Sequence, residues 1–270
     1  MPHLQFRYLS FFFGIISLLS FFNIIYSYYL NWYLNINTYY ISLGVSLILS
    51  VFFFKINIKN KKQSIFDKIL TVFFGYILIP LILSIPFYLS IYNLTFINSY
   101  FESISGFTST GFTIFDNIKD IDQSLILWRS STQWIGGLYF LFSIIFLIDI
   151  YDENFKKTLT NFISFDSSEI LKQAFKIFLL YSILTLLIFL ILNFFSIRSF
   201  NSLNLAFSLI SSGGFLPVNE LSNVLKDNTQ IIVLSLLMLT SFFSIFFTYN
   251  LIFFKNKNLN FFYEDLHLIF

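Results

Sequence analysis

The chain has 270 residues, of which 57% are hydrophobic and 11% charged, with a mean hydropathy of +0.77 and a net charge of +2. Soluble domains carry about 45–50% apolar and about 25% charged residues, so this composition excludes an ordinary soluble domain and gives no reason to invoke nucleic acid. The absence of cysteine removes disulfides and thiolate sites, and the two histidines, His3 and His267, stand at the ends, which argues against a His-based metal centre.

In chain order, apolar runs cover residues 8–30, 38–54, 68–92, 125–150, 171–195 and 229–254. Each is close to the roughly 20 residues that cross a ~30 Å hydrocarbon core. The first run is too long for a signal-peptide core, and no A-x-A cleavage site follows it, so it reads as a retained helix. The loop after the second run carries Lys55, Lys59, Lys61, Lys62 and Lys68, and the last run ends in Lys255 and Lys257. The excess of lysine predicts a cytoplasmic side for both, and so for both termini. Segments 93–124 and 196–228 then face outward. Both are long for connections between helices, where 2–8 residues are usual.

These two segments resemble each other. Asn98-Ser99 falls on Asn201-Ser202, Ser105 on Ser208, Ser109 on Ser212 and Gly111-Phe112 on Gly214-Phe215, all at one offset of 103 residues. The same shift carries 68–92 onto 171–195 and 125–150 onto 228–253. The predicted unit is therefore span, loop, span, occurring twice in parallel orientation. Within the first loop, Ser99 and Glu102 read as a capping box opening a short helix that ends near Phe107. Ser202 is the matching cap in the second loop, with Leu205 in place of the acid. Small residues follow each short helix: Thr108, Ser109, Thr110 and Gly111, then Ser211, Ser212, Gly213 and Gly214. Irregular backbone at membrane depth survives only where protein buries it or it lines water. An extended run with glycine can turn successive carbonyls toward an axis, where they replace the hydration shell of a cation. The expected architecture is all-α and integral to the membrane. Helix–re-entrant pore loop–helix repeats at 59–160 and 161–258 follow an N-terminal helix pair at 1–58, and 259–270 leads into a third repeat.

Of the remaining residues, Arg129 reads either as a side chain snorkelling to the interface or as a brace for the loop. Glu102 reads as a cap rather than an ion ligand. Trp128 and Trp134 are expected as interfacial anchors and packing, Gly136-Gly137 as a point of close helix approach, and Pro80 and Pro86 as a kink. Asp149 lies near the inner end of a span and reads as solvated. Asp116, Asp120, Asp122 and Glu220 make the outer face acidic. No nucleophile–base pair, metal-ligand cluster or phosphate-binding loop is present, so an enzyme is not expected.

The run FESISGFTSTGF followed by LWRSSTQWIGG, and the later AFSLISSGGFLP, resemble the Trk/Ktr/HKT superfamily of potassium transporters, its bacterial Trk branch most of all. The resemblance implies four helix–loop–helix repeats around one pore, of which this sequence holds two. It implies K⁺ as the transported ion with no cofactor, and a filter built from Thr108, Ser109, Thr110 and Gly111 and from Ser211, Ser212, Gly213 and Gly214. The second filter glycine is Gly214, with Gly213 as the alternative, and Glu102 and Arg129 support the filter. A glycine at the position of Gly111 goes with K⁺ selectivity in the family. The resemblance further implies residence in the cytoplasmic (inner) membrane and a cytosolic nucleotide-binding regulatory subunit. Two more repeats would come from self-association or from a second chain, and a truncated, non-conducting product is the remaining possibility.

Overall fold

A computed structural model describes residues 6–56, 65–147 and 170–242, and every described regular element is a helix. The long helices are α1 (Phe6–Tyr29), α2 (Ile36–Lys55), α3 (Ile65–Leu83), α6 (Gln123–Leu147), α7 (Ile170–Phe194) and α9 (Asn228–Phe242). Shorter ones are α4 (Ile85–Tyr88), α5 (Phe96–Phe107) and α8 (Ser199–Ser211), with single 3₁₀ turns at Ile118–Asp120 and Leu221–Asn223. Asp149, most of the lysine-rich loop after α2 and the stretch from residue 243 onward fall outside the described residues.

Among the described residues, four stretches are long and apolar enough to cross a membrane: Tyr8–Tyr29, Ile36–Lys55, Phe66–Tyr88 and Ile177–Phe194. Helix α6 has the length but not the hydropathy, because its middle reads Arg129-Ser130-Ser131-Thr132-Gln133. All five of these side chains are buried inside the protein. Polar groups at such depth need partners from neighbouring helices, and α6 has neighbours in α1, α3, α5, α7 and α8. The outward faces of the other helices carry large apolar side chains such as Phe21, Ile48, Phe73 and Leu186. A surface of that kind suits lipid rather than water.

Helices α1 and α2 form an antiparallel hairpin closed by hydroxyls. Ser10 donates to the Ser50 carbonyl at 2.8 Å and Ser50 returns the bond to Ser10 at 2.9 Å, with Ser20 donating to Ser42 at 3.1 Å. Small hydroxyl residues let helix backbones approach where lipid gives no hydrophobic drive to associate. The hairpin docks on α6 through Phe12 against Tyr139, ring centroids 4.8 Å apart, and through Asn23 Nδ2, which donates to the Ser124 carbonyl.

The third predicted span breaks at Ser84, between α3 and α4. Pro86 sits in the first turn of α4, where its missing N–H costs little. The carbonyl of Leu83 is taken by the Trp128 indole at 3.0 Å. Trp128 is fully buried and Trp134 nearly so, its indole donating to Thr185 at 2.9 Å. The expectation of interfacial anchors is therefore corrected: both tryptophans are core residues that bond polar groups inside the bundle.

The 103-residue offset recurs in the backbone. Positive φ occurs at Asn93 and Ser196, at Ser109 and Ser212, and at Gly111 and Gly214, each pair 103 apart. The two 3₁₀ turns are displaced by the same amount, and so are the starts of α5 and α8. Helix α5 packs between α3 and α6, as α8 packs between α7 and α9, and α6 joins the two sets by its contact with α8.

Candidate functional site

Helix α5 starts earlier than its sequence suggests. Thr95, in extended conformation, is the N-cap, and its hydroxyl accepts from the Asn98 amide. Ser99 is already helical and donates to the Thr95 carbonyl. In the second loop the N-cap is Arg198, and Ser202 donates to the Ile197 carbonyl. The capping-box reading of Ser99–Glu102 and the cap at Ser202 are thus corrected. Both sequence patterns contain a hydroxyl a few residues upstream of the chosen one, and pattern alone does not separate them.

Glu102 is freed for another task. It lies fully buried in mid-helix, paired with Arg129 Nε at 2.7 Å. Thr113 Oγ1 donates to it at 3.0 Å and the Ile114 amide at 3.0 Å, while Arg129 Nη2 donates to Thr113 Oγ1 at 3.1 Å. The carboxylate therefore ties the loop after α5 back to α5 itself. Arg129 is 1% exposed, which excludes the snorkelling alternative. Its guanidinium carbon lies over the Phe215 ring in the other loop, 4.3 Å from the ring centre. One cation thus holds the first loop by charge and the second by its contact with an aromatic face.

The short helices end against α6. A Cβ on Gly136 would sit 1.9 Å from the Phe107 carbonyl oxygen, at the end of α5, and one on Gly137 would sit 2.9 Å from Ser211 Cα, at the end of α8. The adjacent glycines let α6 touch both helix C-termini main chain to main chain. The C-terminal ends carry partial negative charge, and the small-residue segments begin there.

In the first segment Thr108 is the C-cap of α5 and is exposed, its hydroxyl sharing a 2.7 Å hydrogen bond with that of Thr110, also exposed. Ser109 has φ 55° and Gly111 φ 80°. Ser105 Oγ donates to the Phe112 carbonyl at 2.6 Å and fixes the exit of the segment. In the second, Ser211 is buried at the end of α8, Ser212 is the left-handed C-cap with φ 53°, Gly213 is buried and Gly214 is exposed with φ 80°. Gly214, not Gly213, is thus the conformational counterpart of Gly111. The segments meet: a Cβ on Gly111 would fall 2.8 Å from the Gly213 carbonyl oxygen and 3.6 Å from Gly214 Cα. Of the eight small residues singled out in the sequence, Gly111, Gly213 and Gly214 meet across the two segments, while Glu102 and Arg129 engage the first loop at Thr113 and Ile114.

Sequence reasoning missed Gln133. Its amide lies under Gly213, where a Cβ would be 2.3 Å from Gln133 Cδ, and its Oε1 accepts from the Phe215 amide at 3.2 Å. Asn219 was missed as well; it donates to Asn117 Oδ1 at 2.6 Å and accepts from the Ile118 amide at 2.7 Å, pinning the two loops beyond the glycines. The acids Asp120, Asp122 and Glu220 are engaged locally by Asn117, Ser124 and Ser222. Among the described residues, no three of His, Cys, Asp or Glu come together as a metal site would require.

No family model matches the chain. It is 26% identical over 218 residues to an uncharacterized cation transporter of Methanocaldococcus jannaschii, covering 76% of this chain and 44% of that protein. It is 36% identical over 73 residues to the Trk system potassium uptake protein TrkG of Escherichia coli, which is 27% of this chain and 15% of the relative. Among solved structures, the potassium transporter TrkH from Vibrio parahaemolyticus superposes with a TM-score of 0.71 at 17% identity, over 87% of this chain and 48% of that one. The chain spans about half the length of these two longer matches. Its homologues are therefore Trk potassium uptake proteins and a cation transporter, not enzymes, and its fold is that of the TrkH transporter. With its apolar helices, this makes it a multi-pass membrane protein.

Proposed function

We propose that this chain, a homologue of the Trk potassium uptake proteins, contributes two of the re-entrant segments that line a potassium-conducting pore. Residues 108–111 and 211–214 offer backbone carbonyls to a dehydrated cation, with Glu102 and Arg129 holding the first segment in place. The observation that carries this reading is the meeting of two segments of matched backbone, left-handed at Ser109 and Gly111 and again at Ser212 and Gly214, main chain against main chain. Carbonyl rings coordinate K⁺ without side-chain chemistry, so a site with no charged side chain at its tip suits such an ion. Repeats at 59–160 and 161–258 with the helix pair 1–58 complete the organisation. The loops face outward, and the lysine-rich ends lie on the cytoplasmic side of the inner membrane.

The test is rubidium or potassium uptake in a bacterium deficient in K⁺ uptake, with Gly111→Val beside the parent chain. Uptake by the parent and none by Gly111→Val at equal membrane level is the expected result; uptake by both overturns the reading. A second reading, a membrane subunit that conducts only when two more segments are supplied, is favoured by the exposure of Thr108, Thr110, Ser212 and Gly214 along one side of the loop pair. A second copy, another chain or further sequence of the same protein would cover that side, and a cytosolic regulatory subunit would dock on the opposite face of the membrane. Growth of the deficient strain on low K⁺ with this chain alone selects the first reading. Absence of growth with the chain in the membrane selects the second.

A further inference from the structure

At the end of the bundle where α6, α8 and α9 begin, a cavity of about 540 Å³ opens between the two loops. Lys119, Arg198 and Lys226 line it, and no Asp or Glu does. None of the three cations has an ion pair among the described residues; Arg198 lies over the Phe200 ring, 5.9 Å from its centre. The neighbouring carboxylates of Asp120 and Glu220 are occupied by Asn117 and Ser222 and do not enter the lining. Lining residues also come from the first turns of all three helices, Gln123 in α6, Phe200 and Asn201 in α8 and Gln230 in α9. Unpaired N–H groups at such ends carry partial positive charge and favour anions. The amide oxygen of Gln123, a lining residue, is buried without a partner. Ile121, Pro217 and Val224 form apolar wall between the charges.

We infer that this cavity is a binding site for a phosphate-bearing anion, held by Lys119, Arg198 and Lys226 at the mouth of the groove between the two loops. Three cations without an ion pair among the described residues, lining one concave site that no carboxylate lines, attract an anion into it. The apolar wall leaves room for the glycerol end of an anionic phospholipid, and the same donors would take free phosphate. None of residues 108–111 or 211–214 lines this site, and it does not depend on conduction.

The test uses the purified chain in neutral detergent, with thermal unfolding followed as ligand is added. Phosphatidylglycerol, phosphatidylcholine and inorganic phosphate form separate arms. A stabilising shift with phosphatidylglycerol, weakened by salt and absent with phosphatidylcholine, identifies a lipid headgroup, and a shift with inorganic phosphate identifies the free anion. The triple variant K119Q/R198Q/K226Q is expected to bind roughly a hundredfold more weakly, since each cation near an anionic lipid contributes about fivefold. All three side chains are exposed, so their removal leaves the core intact. If the triple variant does not fold, the single variant R198Q carries the comparison with about a fivefold loss. No shift with either anion, or an equal shift in parent and variant, overturns the inference.

Discussion

Removing the guanidinium at position 129 leaves the Glu102 carboxylate buried with only Thr113 and the Ile114 amide as partners. Breaking one side of a buried ion pair costs about 3–5 kcal/mol, because the surviving charge is stranded. Arg129→Met is therefore expected to lower the thermal unfolding midpoint sharply in detergent. The double variant Glu102→Gln/Arg129→Met recovers much of the loss, since a neutral amide at 102 needs less compensation. A double variant no more stable than Arg129→Met removes the pairing as the reason. At Gly111 two constraints coincide. Its φ of 80° disfavours any side chain, and a Cβ there presses on the Gly213 carbonyl. Strain of this kind costs of the order of 1–3 kcal/mol, so Gly111→Ala folds with modest loss while displacing the second loop. The sequence offered both residues, Gly111 through the repeat and Arg129 through its motif. It did not offer Gln133, whose bond to the Phe215 amide joins residues 82 apart in the chain.

Among the helices, α6 is the one on which both loops lean. The second unit has Leu205, Leu216 and Ile232 where the first has Glu102, Thr113 and Arg129, so it holds no polar brace of its own. Its loop is held from α6 instead, by Gln133 at the Phe215 amide and by Arg129 at the Phe215 ring. Gly136 and Gly137 admit the ends of α5 and α8; a methyl group at Gly136 meets the Phe107 backbone, and one at Gly137 meets the Tyr181 hydroxyl and Ser211. Overpacking commonly costs about 1–3 kcal/mol, and Gly136→Ala, at 1.9 Å from a carbonyl oxygen, is expected at the upper end by thermal unfolding. Gly44→Ala in α2, whose Cβ would meet nothing within 4 Å, is the matched control and should be neutral or slightly stabilising. The helices were legible because apolar runs and polar loops alternate plainly. Their ends were less so, because Thr95 and Ser99 offer the same capping chemistry. The inward polarity of α6 was hidden, since a run of serines in an apolar segment does not reveal which neighbours will receive it.

For the molecule as a whole, the absence of cysteine makes single-site labelling clean. Thr110→Cys, on the exposed side of the loop pair, is expected to react with a water-soluble thiol reagent in the isolated chain, whereas Ser105→Cys, buried at 4% exposure, is expected to stay silent. Protection of Thr110→Cys in native membranes, lost on purification, reports a covering partner; equal reactivity in both settings removes the need for one. The repeat was visible in the sequence as an offset, but that the two loops touch each other was not, because an offset carries no distance. The contact between them has one further consequence. At Gly111 and Gly136 the nearest abutting atoms are main chain, the Gly213 carbonyl and the Phe107 carbonyl, so no rotamer can relax these two contacts. The meeting of Gly111 with Gly213 is thus a gauge of the spacing between the two segments, set by backbone and not by the choice of side-chain rotamer.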